Sequence, residues 1–204
     1  MNTNLSSSVP SQLETDCLVV VVLDRSEKDR GEKDKSAVTV ESSDDAVREA
    51  AKDVISSAEV TGKTFETTLL HRPAGLKAKR LLLVGGGKAR TFSAAELRKL
   101  AGAAVRTLKS KSIRSFAFVV PETAVPAGQG LRAIVEGAFV GNFDPGYYKS
   151  DRNEKDQKID ALTIVVHGDA HDAKALESAM QAGRIVAESQ NFTRDLVNEP
   201  SNRM

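Results

Sequence analysis

The stretch RLLLVGGGKARTFSAAELRKLAGAAVRTLKSKSIRSFAFVV, residues 80–120, decides the fold. Arg80–Val84 is a short apolar run of the kind buried on both faces of a parallel sheet, and it ends in Gly85-Gly86-Gly87. Ser93-Ala94-Ala95-Glu96 then reads as a capping box, the serine accepting from one free N–H of a helix start and the glutamate reaching back to another. Leu97, Leu100, Ala101, Ala104, Val105 and Leu108 recur at three- and four-residue steps, which predicts a helix to about Leu108 with one apolar face. Phe116–Val120 returns to a strand pattern and is stopped by Pro121. Strand, helix and strand in this order make a right-handed crossover and therefore a parallel pair.

The same alternation extends in both directions. Cys17–Leu23 (CLVVVVL) predicts a buried strand, and Ala37–Val40 a short one. Asp44–Ser57 has helical periodicity through Val47, Ala51, Val54 and Ile55, with Ser42 and Asp45 as the expected capping pair. Thr64–Leu70 reads as a strand, Gln129–Gly141 as a helix and Leu162–Val166 as a strand. Ala173–Val197 reads as a long helix ended before Pro200. The expectation is an α/β fold with a mixed, mostly parallel sheet and helices on both faces. Residues 1–15 are polar and serine-rich and read as a loose lead-in, and 24–35, with balanced charge, as a solvated turn.

Composition narrows the function classes. The 204 residues carry 29 Lys+Arg against 28 Asp+Glu, so the net charge of +1 announces neither a nucleic-acid nor a membrane partner. At 40% hydrophobic the chain can bury a full core, and with 4% aromatics and no Trp that core must be aliphatic. One cysteine excludes an internal disulfide and suits a reducing compartment. No apolar run is long enough to span a bilayer and the N-terminus lacks a signal-peptide pattern, so a cytoplasmic protein with no membrane partner is expected.

The candidate sites each have a plain structural reading. Gly85–Gly87 sits where phosphate loops sit, but Leu82 and Ala89 break the P-loop pattern and Arg90 breaks the dinucleotide fingerprint, which favours a turn. His167 and His171 have zinc-helix spacing without its acid, at a strand end rather than within a helix, and His71 stands alone. Cys17 opens a buried strand and reads as a core residue. Asn191-Phe192-Thr193 matches a glycosylation sequon inside a helix. Arg72–Arg114 contains twelve Lys or Arg (72, 77, 79, 80, 88, 90, 98, 99, 106, 109, 111 and 114) and one acid, Glu96, so it carries +11 and the remaining chain −10. Internal charge exchange is the simpler account, and a basic face for an anionic partner the sharper one. By helical phase, Arg98 and Lys109 are expected to point outward. These motifs nominate no catalytic, cofactor-binding or metal-ligating residue.

The C-terminal stretch carries a resemblance. Thr193-Arg194-Asp195-Leu196-Val197-Asn198-Glu199-Pro200-Ser201-Asn202 resembles the junction signature of leucyl (cytosol) aminopeptidases. Arg80–Lys88, Leu97–Ala104, Val135–Gly141, Phe143-Asp144 and Tyr148-Lys149-Ser150 agree with that family in order and spacing. Asn142 and Thr193 depart from it, where Tyr and Ala are usual. The resemblance implies a macro-domain-like N-terminal domain over residues 16–197, with 198–204 beginning a linker to a catalytic domain absent from the chain. It implies that the two divalent ions, Mn or Zn, belong to that absent domain with their ligands. It also implies a homo-oligomer, typically a hexamer, and a non-catalytic role in assembly and active-site access. Two alternatives follow from it, a nucleotide- or ADP-ribose-binding module using Gly85–Gly87 and a nucleic-acid-binding domain using residues 72–114.

Overall fold

The computed structural model describes residues 1–26, 38–123, 125–146, 158–167 and 172–199. Among these, seven strands form one sheet: β1 (Asn2–Ser6), β2 (Leu18–Asp24), β3 (Val38–Val40), β4 (Thr67–His71), β5 (Arg80–Lys88), β6 (Ser115–Val119) and β7 (Ala161–Val165). The helices are α1 (Asp45–Ser56), α2 (Ala94–Ser110), α3 (Ala127–Asn142) and α4 (Ala173–Asn198). The sheet order is β1-β7-β6-β2-β5-β4. β1, β7, β6, β2 and β5 are mutually parallel, whereas β4 is antiparallel to β5 and β3 to β2. This is the expected mixed, mostly parallel α/β sheet.

β2 lies at the centre because every residue from Leu18 to Leu23 is buried, as an unbroken apolar run requires. Val19, Val21 and Leu23 face the layer of α2, α3 and α4, packing with Leu97, Leu131 and Leu176. Leu18, Val20 and Val22 face α1 through Val47 and Ala51. The period of two along the strand thus divides the core into two slabs, one per face. On one edge of β2, β6 pairs with Leu18 and Val19 only, and β3 pairs farther along with Val22–Asp24.

Three expectations are corrected. The first residues are not a loose lead-in. Asn2–Ser6 add an edge strand to β7, Met1 and Leu5 pack against the core, and the Ser11 N–H donates to the Asp44 carboxylate at 2.7 Å. An edge strand open to solvent needs few apolar residues, so its alternation was too sparse to stand out. The cap of α1 is Asp44, which accepts from the Ala46 N–H, while Ser42 accepts from the Asp44 N–H. Gly85–Gly87 are not a turn but the continuation of β5 to Lys88. The Ser93 cap of α2 forms as expected, accepting from the Glu96 N–H.

Candidate functional site

The glycines of β5 are explained by chain packing. A Cβ on Gly85 would lie 2.0 Å from the Lys63 carbonyl oxygen, and one on Gly87 2.4 Å from Thr64 Oγ1. The segment Gly62–Glu66 fills that space, tied by Phe65 N–H to Gly85 O, Gly85 N–H to Glu66 O and Gly87 N–H to Gly62 O. The cradle a phosphate would need is therefore occupied by backbone.

Five of the twelve basic residues of the segment pair with acids among the described residues. Lys79 Nζ donates to Asp16 at 2.7 Å, and Ser115 Oγ donates to the same carboxylate at 2.6 Å; the two hold Asp16 below its ordinary pKa. Lys88 pairs with Asp24 at 3.0 Å, Arg98 with Glu136 at 3.4 Å, Lys99 with Glu96 at 2.9 Å and Arg114 with Asp160 at 3.2 Å. Lys109, expected to point outward, is only 6% exposed, and Arg98 turns toward α3 and α4, donating to Gln190 at 2.6 Å. Arg98 turns inward because α3 packs alongside α2 and brings Glu136 beside it, a second covered flank that a single apolar stripe does not reveal. Four of these five pairs join the segment to acids outside it, as internal charge exchange requires.

Cys17 is fully buried, and burial pushes its thiol up to about 12, which removes it as a nucleophile. His167 is half-buried at the end of β7, while His171 lies outside the described residues. Among the described residues no group of three His, Cys, Asp or Glu side chains could hold a metal ion. No helix among the described residues is long and apolar enough to cross a membrane.

Two surface features remain. The first is a cleft of about 720 Å³ at the carboxyl end of the sheet, between β3, α1 and the segment after β6. Its walls include Arg25, Val40, Glu41, Arg48, Lys52, Ile55 and Glu122. Glu41, 3% exposed, is held by Arg25 with 2.9 Å to each carboxylate oxygen and by the Thr39 hydroxyl at 2.7 Å. The second is a stripe on α4. Leu176, Gly183 and Ala187 are the buried residues of that helix and recur at seven and four, facing α3. Ile185, Phe192 and Leu196 recur at seven and four on the opposite side and are exposed, Phe192 to 64%. Val186 and Val197 flank them, also exposed. The end of α4 is nonetheless firmly set. Asn191 Nδ2 and Arg194 donate to the Phe139 and Val140 carbonyls, and the Arg194 guanidinium stacks 3.9 Å from the Phe143 ring centroid. The sequon asparagine is thus a structural donor. The capped carbonyls and the second stripe were not anticipated, although the heptad spacing of Ile185, Phe192 and Leu196 was available as a signal.

The model of the cytosol aminopeptidase family N-terminal domain matches residues 19–152. A probable cytosol aminopeptidase of Koribacter versatilis is 48% identical over 220 aligned positions, covering all of this chain and 41% of the relative. The cytosol aminopeptidase of Pseudomonas aeruginosa is 33% identical, covering 95% of this chain and 37% of the relative. A mutant tomato leucine aminopeptidase superposes with a TM-score of 0.70 at 18% identity, over all of this chain and 39% of that one. The bottromycin maturation enzyme BotP gives 0.60 at 21%, over 92% and 34%. The chain thus spans about two-fifths of the length of the curated relatives it matches.

Proposed function

The chain belongs to the cytosol aminopeptidase family, as its N-terminal domain, and from that premise we propose that it is the non-catalytic part of a two-metal aminopeptidase removing N-terminal residues from peptides. Peptide hydrolysis by paired cations needs several carboxylates converging on both metals to polarise the carbonyl and lower the pKa of a bridging water. We assign the ligands of those cations, Mn or Zn, to the portion of the relatives beyond this domain, reached through a linker that begins at about residue 198. The domain supports assembly of a cytoplasmic homo-oligomer and limits access to its active sites.

The observation that carries this reading is the second stripe of α4. A helix apolar on two opposite sides suits two packing partners, and among the described residues one side faces α3 while the other is exposed. Exposed Ile185, Phe192 and Leu196 lie on the helix that carries the first residues of the junction motif, and the matched relatives are longer than this chain.

Two measurements test it. The purified chain should release no p-nitroaniline from leucine p-nitroanilide with Mn²⁺ or Zn²⁺ added, and metal-dependent turnover by this polypeptide would overturn the division of labour. A chimera in which the chain replaces the matching portion of the Koribacter versatilis relative should be active. Phe192→Asp should lower the chimera's thermal stability while leaving that of the isolated chain unchanged. Equal effects on both would remove the stripe as a docking face.

A further inference from the structure

The cleft at the carboxyl end of the sheet lies at a place where open α/β sheets bind ligands. β2 and β6 are neighbours, but their outgoing connections part: β2 leads through β3 to α1 on one face, and β6 leads to α3 on the other. Such a parting leaves a crevice outside the strand ends, the topological switch point of a parallel sheet. Arg25 follows β2, Glu122 follows β6, and both line the cleft. Short pairing of β6 with β2 and the insertion of β3 along the same edge keep it open. α4 belongs to the layer on the other face of the sheet, so its exposed stripe is separate from the cleft.

The polar groups of the cleft divide by role. Arg25 and Thr39 satisfy Glu41, so this buried carboxylate braces the wall. Arg48 and Lys52 stand one turn apart on the same side of α1 and are both solvent-accessible. Their present ion-pair partners, Asp45 and Glu49, are exposed residues of the same helix, and such pairs are worth little and exchange readily, while a second guanidinium nitrogen of Arg48 donates to the Ser42 carbonyl at 3.1 Å and fixes its place in the wall. Across from them Glu122 accepts the Ser43 N–H through one oxygen at 3.2 Å. Among the described residues its second oxygen accepts no hydrogen bond. Val40 and Ile55 supply an apolar wall.

We propose that this cleft binds a free α-amino acid with an aliphatic side chain, its carboxylate between Arg48 and Lys52, its ammonium on Glu122 and its side chain against Val40 and Ile55. Two cations beside one available carboxylate match a zwitterion. A nucleotide fits poorly, because the lining has no aromatic ring to stack a base and its carboxylates oppose a diphosphate. In a protein that releases amino acids the cleft responds to product; that consequence rests on the reading above, whereas the binding itself does not.

The test is an NMR titration of the ¹⁵N-labelled 204-residue chain with L-leucine. Parallel titrations use 4-methylpentanoate, which lacks the ammonium, 3-methylbutylamine, which lacks the carboxylate, and ADP-ribose. Leucine should give saturable shifts confined to Thr39–Ser43, Arg48–Ser56 and Glu122. Each truncated ligand should bind about tenfold or more weakly, the loss expected for one charge-assisted hydrogen bond. Lys52→Ala and Glu122→Gln, both at exposed positions, should weaken leucine about tenfold with the melting temperature unchanged. The proposal is overturned by an absence of saturable shifts, by truncated ligands that bind as well as leucine, by ADP-ribose binding in its place, or by variants that bind leucine like the wild type. Because no catalysis is read, failure here leaves the proposed role in an aminopeptidase untouched, and failure of that role leaves this binding test valid.

Discussion

Gly137→Ala isolates the seam between α2 and α3. A Cβ at Gly137 would lie 1.9 Å from the Arg98 carbonyl oxygen and 2.9 Å from Ala101 Cβ. Restoring an ordinary contact of 3.4 Å to that oxygen requires the two backbones to part locally by about 1.5 Å. The obstacle is backbone, not a flexible side chain, so rotamer changes cannot relieve it. The same seam brings Gly141 against Gly102, where an added Cβ would meet Gly102 Cα at 2.9 Å, so parting loosens contacts on both sides of the substitution. Overpacking of this kind costs about 1–3 kcal/mol, and more where backbone must move. Alanine in a helix interior gains about 1 kcal/mol over glycine by propensity, which works the other way. The net expectation is a loss of about 2 kcal/mol. At roughly 2–4 °C per kcal/mol for a chain of this size, the midpoint falls by about 4–8 °C. Thermal unfolding followed by far-UV circular dichroism measures it. Gly128→Ala is the control: it is also in α3, but its nearest neighbour is Ala179 Cβ at 3.9 Å, and it should be neutral or stabilising. A Gly137→Ala chain as stable as that control would refute the close approach of α2 and α3.

Acid should unfold the chain through a small set of carboxylates. Burial opposes the charge of Asp44, but the N–H groups of Ser11 and of Ala46 and Val47 outweigh it and hold its pKa below the ordinary value, and Lys79 with Ser115 does the same for Asp16. A folded pKa below the unfolded one stabilises above the unfolded value, and that contribution is lost as pH falls through the folded value. The melting temperature should therefore be flat near neutrality and fall below about pH 4, with Asp44→Asn showing a shallower fall in a pH series of melts. Cys17 should be silent to a thiol reagent at neutral pH in the native chain and react fully in denaturant, because burial holds its thiol protonated. Ser93→Ala should cost about 1 kcal/mol in urea titrations through loss of the α2 cap, and Ser93→Asp should restore it.

Elements that bury one side chain in two, or one face of a helix, were legible because their pattern is their cause. The unbroken run of β2 and the serine cap of α2 were read from residues alone and form as read. What escaped reading depends on neighbours far along the chain. Asn2–Ser6 becomes a strand because β7 offers a free edge some 160 residues away, and its five residues carry one large apolar side chain, Leu5. Asp44 outcompetes Ser42 as the cap because it also serves the Ser11 N–H, a contact spanning 33 residues. Arg98 turns inward because α3, which the glycines at 102 and 137 allow to approach α2, brings Glu136 beside it.

The candidate sites divide in the same way. Motif reading fell on Gly85–Gly87, a local pattern whose purpose proved to be room for the Lys63 carbonyl. The cleft escaped it because its walls come from four separate segments, after β2, in β3, along α1 and after β6. Only the strand order brings Arg25, Arg48 and Glu122 to one opening. α4 combines both cases. The seven-residue spacing of Ile185 and Phe192 is in the sequence, yet it acquires meaning only when Gly183 and Ala187 are found facing α3 on the other side. The first stripe is accounted for by the core it joins; the second leaves Phe192 and Leu196 exposed among the described residues, and the α2–α3 seam and the two slabs around β2 form without it.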